Sequence, residues 1–225
     1  MSTMMFSDRF DAGRQLAARL APMRDKAPVI IGLPTGGIPV AFEVAMALQA
    51  PLDILVVRKL RLPFEPAVVM GAIGERGARV LEAQVLTDSR VTIDELHAVE
   101  MRERAAMAER VARLCRSRPR VDLRGRTVII VDDGMATGAT AQVACQVARR
   151  AGAKRVVLAV PVGPADTVRH LMGAHELVCL YQPDDFGSVA QYYVNGEPVT
   201  DDDVAVLLDT ASKREISTAA VLADH

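Results

Sequence analysis

The chain has 225 residues, 50% of them apolar and 24% charged, with a formal net charge of −1. A chain of this length and composition can bury a sizeable core without staples, and its near-zero charge excludes a global attraction to nucleic acid or to an anionic membrane. Cys115, Cys145 and Cys179 form no C-x-x-C pair and the four histidines do not cluster, so neither a disulfide framework nor a zinc cluster is indicated. The cysteines read as small buried hydrophobes of a reducing cytosol.

The N-terminal residues lack the basic flank and apolar core of a secretory signal, and no apolar run reaches membrane-spanning length. A soluble, cytoplasmic protein is the expectation. Ser7 or Asp8 is placed to cap a first helix running to about Ala21. Pro28 to Leu33 is a short apolar run bounded by turn residues, hence a buried strand, and Pro34-Thr35-Gly36-Gly37 is a loop. Helical spacing follows from Ile38 to Leu48, then a second strand from Leu52 to Val57. Residues 58 to 80 break the rhythm with two prolines and three glycines, and read as a long loop or a β-excursion.

Thr92-x-x-Glu95 is a capping box opening a long charged helix to about Cys115. The arginines between Arg102 and Arg120 interleave with Glu100, Glu103 and Glu109, which favours a solvated or oligomer face. Thr127 to Val131 is a strand, Ala141 to Ala151 a helix closed by Gly152, and Arg155 to Val160 another strand. Pro164 to Met172 suits a helix, Glu176 to Tyr181 a last core strand, and Asp201 to Leu208 a capped helix. Beyond Asp209 a polar, fraying tail is expected. Apolar strands alternating with helices predict an α/β fold, a parallel sheet covered on both faces, with ligands at the carboxyl ends of its strands.

Two loops lie at such ends. In the stretch V-I-I-V-D-D-G-M-A-T-G-A-T, from Val128 to Thr140, a buried strand runs into Asp132 and Asp133 and then into small residues that open a helix. Gly138 lets the backbone approach a ligand, the helix start offers free N–H groups, and Thr137 and Thr140 add hydroxyls, which together make a phosphate cradle. Carboxylates bind sugar hydroxyls or Mg²⁺ rather than phosphate. Gly36 and Gly37 give a second close-approach site, with Arg58 and Lys59 beyond the next strand. Two anion sites with acids between them fit a sugar phosphorylated at both ends. A Walker A loop and a G-x-G-x-x-G fingerprint are both absent, and an aspartyl-phosphate motif would space its acids two apart. A tight turn with a capped helix would explain the Gly and Thr residues, but not two acids after four apolar residues.

The stretch from Val128 to Thr140 resembles the signature of the type I phosphoribosyltransferases, with Gly134 standing where an aliphatic residue is usual. Together with F-S-D-R, L-P-T-G-G, V-R-K-L and M-G-A-I-G, it is similar to a bacterial group of that family over about residues 6 to 210. The resemblance implies a single domain over residues 1–210, a parallel sheet flanked by helices with a flexible loop within 60–80 and a small hood at about 181–200, followed by the tail 211–225. It implies that Asp132 and Asp133 bind the ribose hydroxyls of phosphoribosyl pyrophosphate and serve Mg²⁺ through those hydroxyls or water. By the same resemblance Ala136, Thr137, Gly138, Ala139 and Thr140 hold the 5′-phosphate, while Thr35, Gly36 and Gly37 hold the pyrophosphate with Arg58 and Lys59 lending charge.

The activity so implied is transfer of 5-phosphoribosyl from Mg-phosphoribosyl pyrophosphate to a small-molecule acceptor, a nitrogenous base, within nucleotide metabolism, with no nucleic-acid or membrane partner. A homodimer is compatible with the resemblance. Phe186 and Tyr192, with Tyr193, either stack an acceptor ring or pack the hood. Ala136 stands where some relatives carry a base-catalytic acid, which weighs against conventional purine salvage. Two alternatives stay open: a non-catalytic regulator that binds phosphoribosyl pyrophosphate, and a transferase acting on phosphate or another small nucleophile.

Overall fold

The computed structural model describes residues 6–115 and 118–223. Helix α1 (Arg9–Leu20) is capped by Asp8, whose side chain accepts from the Asp11 N–H at 2.7 Å. Strand β1 (Val29–Gly32) leads through residues 33–36 into α2 (Gly37–Leu48), and β2 (Leu52–Ile54) follows. Strands β6 (Thr127–Val131), β7 (Arg155–Val162) and β8 (Glu176–Tyr181) complete a five-stranded sheet of order β2-β1-β6-β7-β8, parallel throughout. Between β6 and β7 runs α5 (Ala139–Arg150), and between β7 and β8 the short α6 (Ala165–His170).

Strand alternation divides the core. Ile30, Ile129 and Val157 face one side with α2 residues such as Val44, while Ile31, Ile130 and Leu158 face the other with Val143 and Val147 of α5. The three central strands are therefore apolar on both faces, the pattern that marks a covered parallel sheet. Strand order reverses between β1 and β6, so a crevice opens between their carboxyl ends.

Residues 57–81 are the β-excursion. They form an antiparallel sheet of β3 (Val57–Arg61), β4 (Val69–Gly74) and β5 (Arg79–Leu81), leaving residues 62–68 as the loop of the segment. Leu60, Leu62, Met70 and Ile73 form their own core with Val99 of α4 (Ile93–Cys115), and a helix absent from the sequence reading, α3 (Ala83–Ser89), packs Val85 and Leu86 beside them. The Thr92–Glu95 capping box forms as expected.

The C-terminal helix differs from expectation. Thr200 and Asp203 cap its start reciprocally, but α7 runs from Asp201 to Ala223 and does not stop at Leu208. Its buried stripe of Val204, Leu208 and Ala211 keeps helical spacing past Asp209, which itself pairs with Arg118 at 3.5 Å. The arginines of α4 are largely consumed in the same way: Arg110 and Arg113 both bind Asp201, and Arg104 binds Glu100. Arg120, in the approach to β6, donates to buried Asp53 at 2.9 Å and to Glu75 at 2.9 Å, tying the edge of the large sheet to the end of the small one.

Candidate active site

The two predicted loops meet. The Leu33 N–H donates to the Val131 carbonyl at 2.9 Å, which brings the end of β1 against the end of β6. The approach is close enough to require glycine. A Cβ on Gly36 would stand 2.2 Å from Asp133 Oδ2, and one on Gly37 2.8 Å from the Asp132 Cα. These glycines thus make room for the acids in addition to any ligand. Of this loop's amides, Gly37 donates to the Leu33 carbonyl and Ile38 to the Thr35 carbonyl, whereas Thr35 and Gly36 N–H donate to nothing among the described residues.

A pocket of about 280 Å³ opens at the carboxyl end of β6. Asp132, Asp133 and Lys59 line it beside the loop residues Ala136, Thr137, Gly138 and Thr140. Gly138 takes a left-handed φ of +80° and opens α5, so the first turn of that helix, whose leading amides have no partner within the helix, begins beside the pocket. The Ala136 carbonyl is held from behind by the Thr167 hydroxyl at 2.9 Å, and Met135 N–H donates to the Val162 carbonyl at 2.9 Å. The cradle is therefore braced by β7 and α6 before any anion arrives.

The two acids differ. Burial, reinforced by the neighbouring Asp133 charge, raises the Asp132 carboxyl well above its ordinary range, and Lys59 opposes the rise. Asp132 Oδ1 accepts the Asp133 N–H at 2.9 Å. Asp133 has a cation of its own: Arg9 Nε donates to its Oδ2 at 2.8 Å, and the Tyr193 hydroxyl donates to its carbonyl at 2.5 Å. Burial and the Asp133 charge hold the Tyr193 phenol in its protonated form.

Not every predicted residue reaches the pocket. Arg58 and Lys59 are adjacent on β3 and so face opposite ways. Lys59 lines the pocket, while Arg58 turns to α4 and pairs with Glu103 at 2.8 Å. Phe186 and Tyr192 stack on each other, with centroids 5.6 Å apart at 16°, and Tyr181 meets Tyr192 edge-on. Tyr192 is buried in a small core with Phe6, Ala12 of α1, Val162 of β7 and Tyr193, and Phe186 packs against that core. The hood's contribution to the pocket is Val189. Sequence reasoning misses Arg9. The F-S-D-R motif is its signal, but the helix cap at Asp8 accounts for that motif and leaves Arg9 without a role.

Burial pushes the Cys145 thiol up to about 12 and Cys179 up to about 11, in keeping with inert packing roles. Among the described residues no group of three or more His, Cys, Asp or Glu is placed to hold a metal ion, and no helix is long and apolar enough to cross a membrane.

Comparison with known proteins decides the family. The sequence model of the phosphoribosyl transferase domain matches residues 7–197. The chain belongs to the phosphoribosyltransferase family. A Mycobacterium tuberculosis H37Rv protein named "Putative phosphoribosyl transferase Rv0571c" is 51% identical over 218 residues, and a protein of the same description in strain CDC 1551 matches equally. The match covers 96% of this chain and 49% of each of those proteins, so the chain spans about half their length. The crystal structure of TT1426 from Thermus thermophilus superposes with a TM-score of 0.77 at 42% identity, over 91% of this chain and 98% of that one. The parallel sheet with flanking helices is thus the fold that the signature implied.

Proposed function

We propose that this domain binds Mg-phosphoribosyl pyrophosphate and transfers its 5-phosphoribosyl group to a nitrogen of a small acceptor, releasing pyrophosphate. The observation that carries the reading is the convergence, in one pocket, of two adjacent acids, a braced amide cradle and Lys59. The amides and hydroxyls of residues 136–140 suit the 5′-phosphate, and Asp132 and Asp133 suit the ribose 2′- and 3′-hydroxyls. Thr35 and Gly36, with undonated amides, suit the pyrophosphate.

In the reaction the bond from the ribose C1 to the pyrophosphate oxygen breaks, its electron pair leaving with pyrophosphate. The acceptor nitrogen forms the new bond to C1 and loses a proton. Charge grows on the leaving group, and Lys59 is the side-chain cation placed to meet it. Arg58, committed to Glu103, acts on this step only by bracing β3.

Two adjacent carboxylates lining the pocket suit Mg²⁺ that arrives on substrate phosphates, since that ion keeps water and takes one or two carboxylates. The raised Asp132 carboxyl supports the same view, because a divalent cation beside it would offset the neighbouring Asp133 charge. Asp132 and Asp133 would hold the ion through water or the ribose hydroxyls. When bound, the ion supplies charge neutralisation for the departing pyrophosphate.

Ala136 at the centre of the loop and the engaged Arg58 favour the second reading, a regulator that binds the same ligand without turnover. Pyrophosphate release separates the two. The domain is incubated with Mg-phosphoribosyl pyrophosphate and a panel of nitrogenous bases. Release that depends on one acceptor class supports transfer, whereas tight binding without release under every acceptor supports the regulator.

A further inference from the structure

One guanidinium, that of Arg9, touches the acid step and the hood at once. Its Nε donates to Asp133 Oδ2 at 2.8 Å, its Nη1 donates to the Glu197 carbonyl at 2.9 Å, and its Cζ lies 5.2 Å from the centre of the Tyr193 ring. The Arg9 and Asp133 side chains are only 15% and 17% exposed, so the pair is far less screened than a surface ion pair.

The chain is built to put Arg9 there. Phe6 pairs alongside Tyr193, with Phe6 N–H donating to the Tyr192 carbonyl at 2.8 Å and Val194 N–H returning to the Phe6 carbonyl at 2.9 Å. Asn195 N–H donates to the Ser7 carbonyl at 2.9 Å. Asp8 then caps α1, which fixes Arg9 in its first turn. On the far side Gly36 leaves the space, since a Cβ there would come within 3.2 Å of Arg9 Nε as well as striking Asp133.

We infer that Arg9 is a positioning residue: it fixes the Asp133 carboxylate for a sugar hydroxyl and latches the hood to the floor of the site. Nε takes Oδ2 at 2.8 Å, which fixes the orientation of the whole carboxylate and so the placement of Oδ1. The planar fork matters as much as the charge. Nε and Nη1 serve the acid and the hood carbonyl together, a pair of directed bonds that a lysine ammonium reproduces poorly. The inference rests on the phosphoribosyl pyrophosphate reading given above.

The test is calorimetric titration of Mg-phosphoribosyl pyrophosphate into the wild-type chain, Arg9→Ala and Arg9→Lys, with hydrogen exchange followed over residues 189–197. The expected result is wild-type binding, a loss of about tenfold or more in Arg9→Ala, and an intermediate loss in Arg9→Lys. Millimolar guanidinium restores part of the Arg9→Ala affinity and leaves the wild type unchanged, while exchange in the ligand-free hood quickens in Arg9→Ala. Arg9→Ala that binds as tightly as wild type overturns the inference, as does a weakened Arg9→Ala that guanidinium does not rescue. If Arg9→Ala fails to fold, Arg9→Lys carries the comparison, and wild-type affinity in it overturns the inference. A wild-type chain that binds nothing instead removes the ligand reading itself, and the inference falls with it.

Discussion

Gly134 and Val189 compete for one volume: a Cβ on Gly134 would stand 2.7 Å from Val189 Cγ1 and 2.8 Å from Cγ2. This relationship accounts for the departure from the family pattern at position 134. In the sequence, Gly134 only marks a departure from the usual aliphatic residue. In the fold it receives a hood side chain, so the hood residue supplies the apolar bulk that an aliphatic residue at 134 would have supplied. Gly134→Val is expected to lower stability by about 1–3 kcal/mol through overpacking against Val189 and Val162, and Val189→Ala in the same chain to recover part of it. Urea unfolding of the two single variants and the double variant measures the coupling. Additive losses would refute the shared volume.

Lys59 and Arg58 are expected to part company under mutation. Lys59→Met removes the pocket cation and should lower pyrophosphate release about 10²–10³-fold, the usual cost of deleting one stabilising donor. Arg58→Met breaks a partly exposed pair with Glu103 and should cost about 1 kcal/mol or less of stability, with activity changed only a few-fold. Steady-state rates of both variants with a competent acceptor check the contrast.

The pH dependence of stability follows from Asp132. Its folded carboxyl is raised well above the ordinary 3.8 by burial first and the Asp133 charge second. The folded state thus favours the protonated acid. This contribution is fully present below the unfolded value and is lost as pH rises through the raised folded value. Ligand-free Asp132→Asn is therefore expected to be more stable than wild type at neutral pH, with the difference shrinking towards pH 4, an ordinary aspartate's titration range of about 3.9. Thermal unfolding across that range reads it out. The same variant should lose affinity for phosphoribosyl pyrophosphate.

Arg120 is expected to be a stability residue with no part in binding. Among the described residues, its removal leaves buried Asp53 with the Ile54 and Val121 N–H groups as donors. Arg120→Met should cost about 3 kcal/mol, the low end for a broken buried pair because Arg120 is itself one-third exposed. Denaturant midpoints measure the loss, and ligand affinity of the folded fraction should be unchanged.

What the sequence made legible was what local rules decide. The bounds of β6 and β8, the Asp8 cap and the Thr92–Glu95 box all follow from runs and caps a few residues long. The acid pair and the cradle were legible because their chemistry lies in consecutive residues. What stayed hidden depends on contacts across the chain. Arg58 and Lys59 look equivalent as neighbours until pairing on β3 assigns their faces. Arg9 meets Asp133 across 124 residues, which no spacing rule could bridge. The length of α7 was misjudged because a polar composition hid a stripe that needs only Val204, Leu208 and Ala211.

The central claim is most directly tested by titrating phosphoribosyl pyrophosphate calorimetrically into the folded chain, with and without Mg²⁺, and into Asp133→Asn. The account predicts micromolar-class binding that strengthens with Mg²⁺ and weakens about tenfold or more in the variant, the loss expected for one charge-assisted hydrogen bond. No heat of binding at millimolar ligand, from a chain shown to be folded, would contradict it.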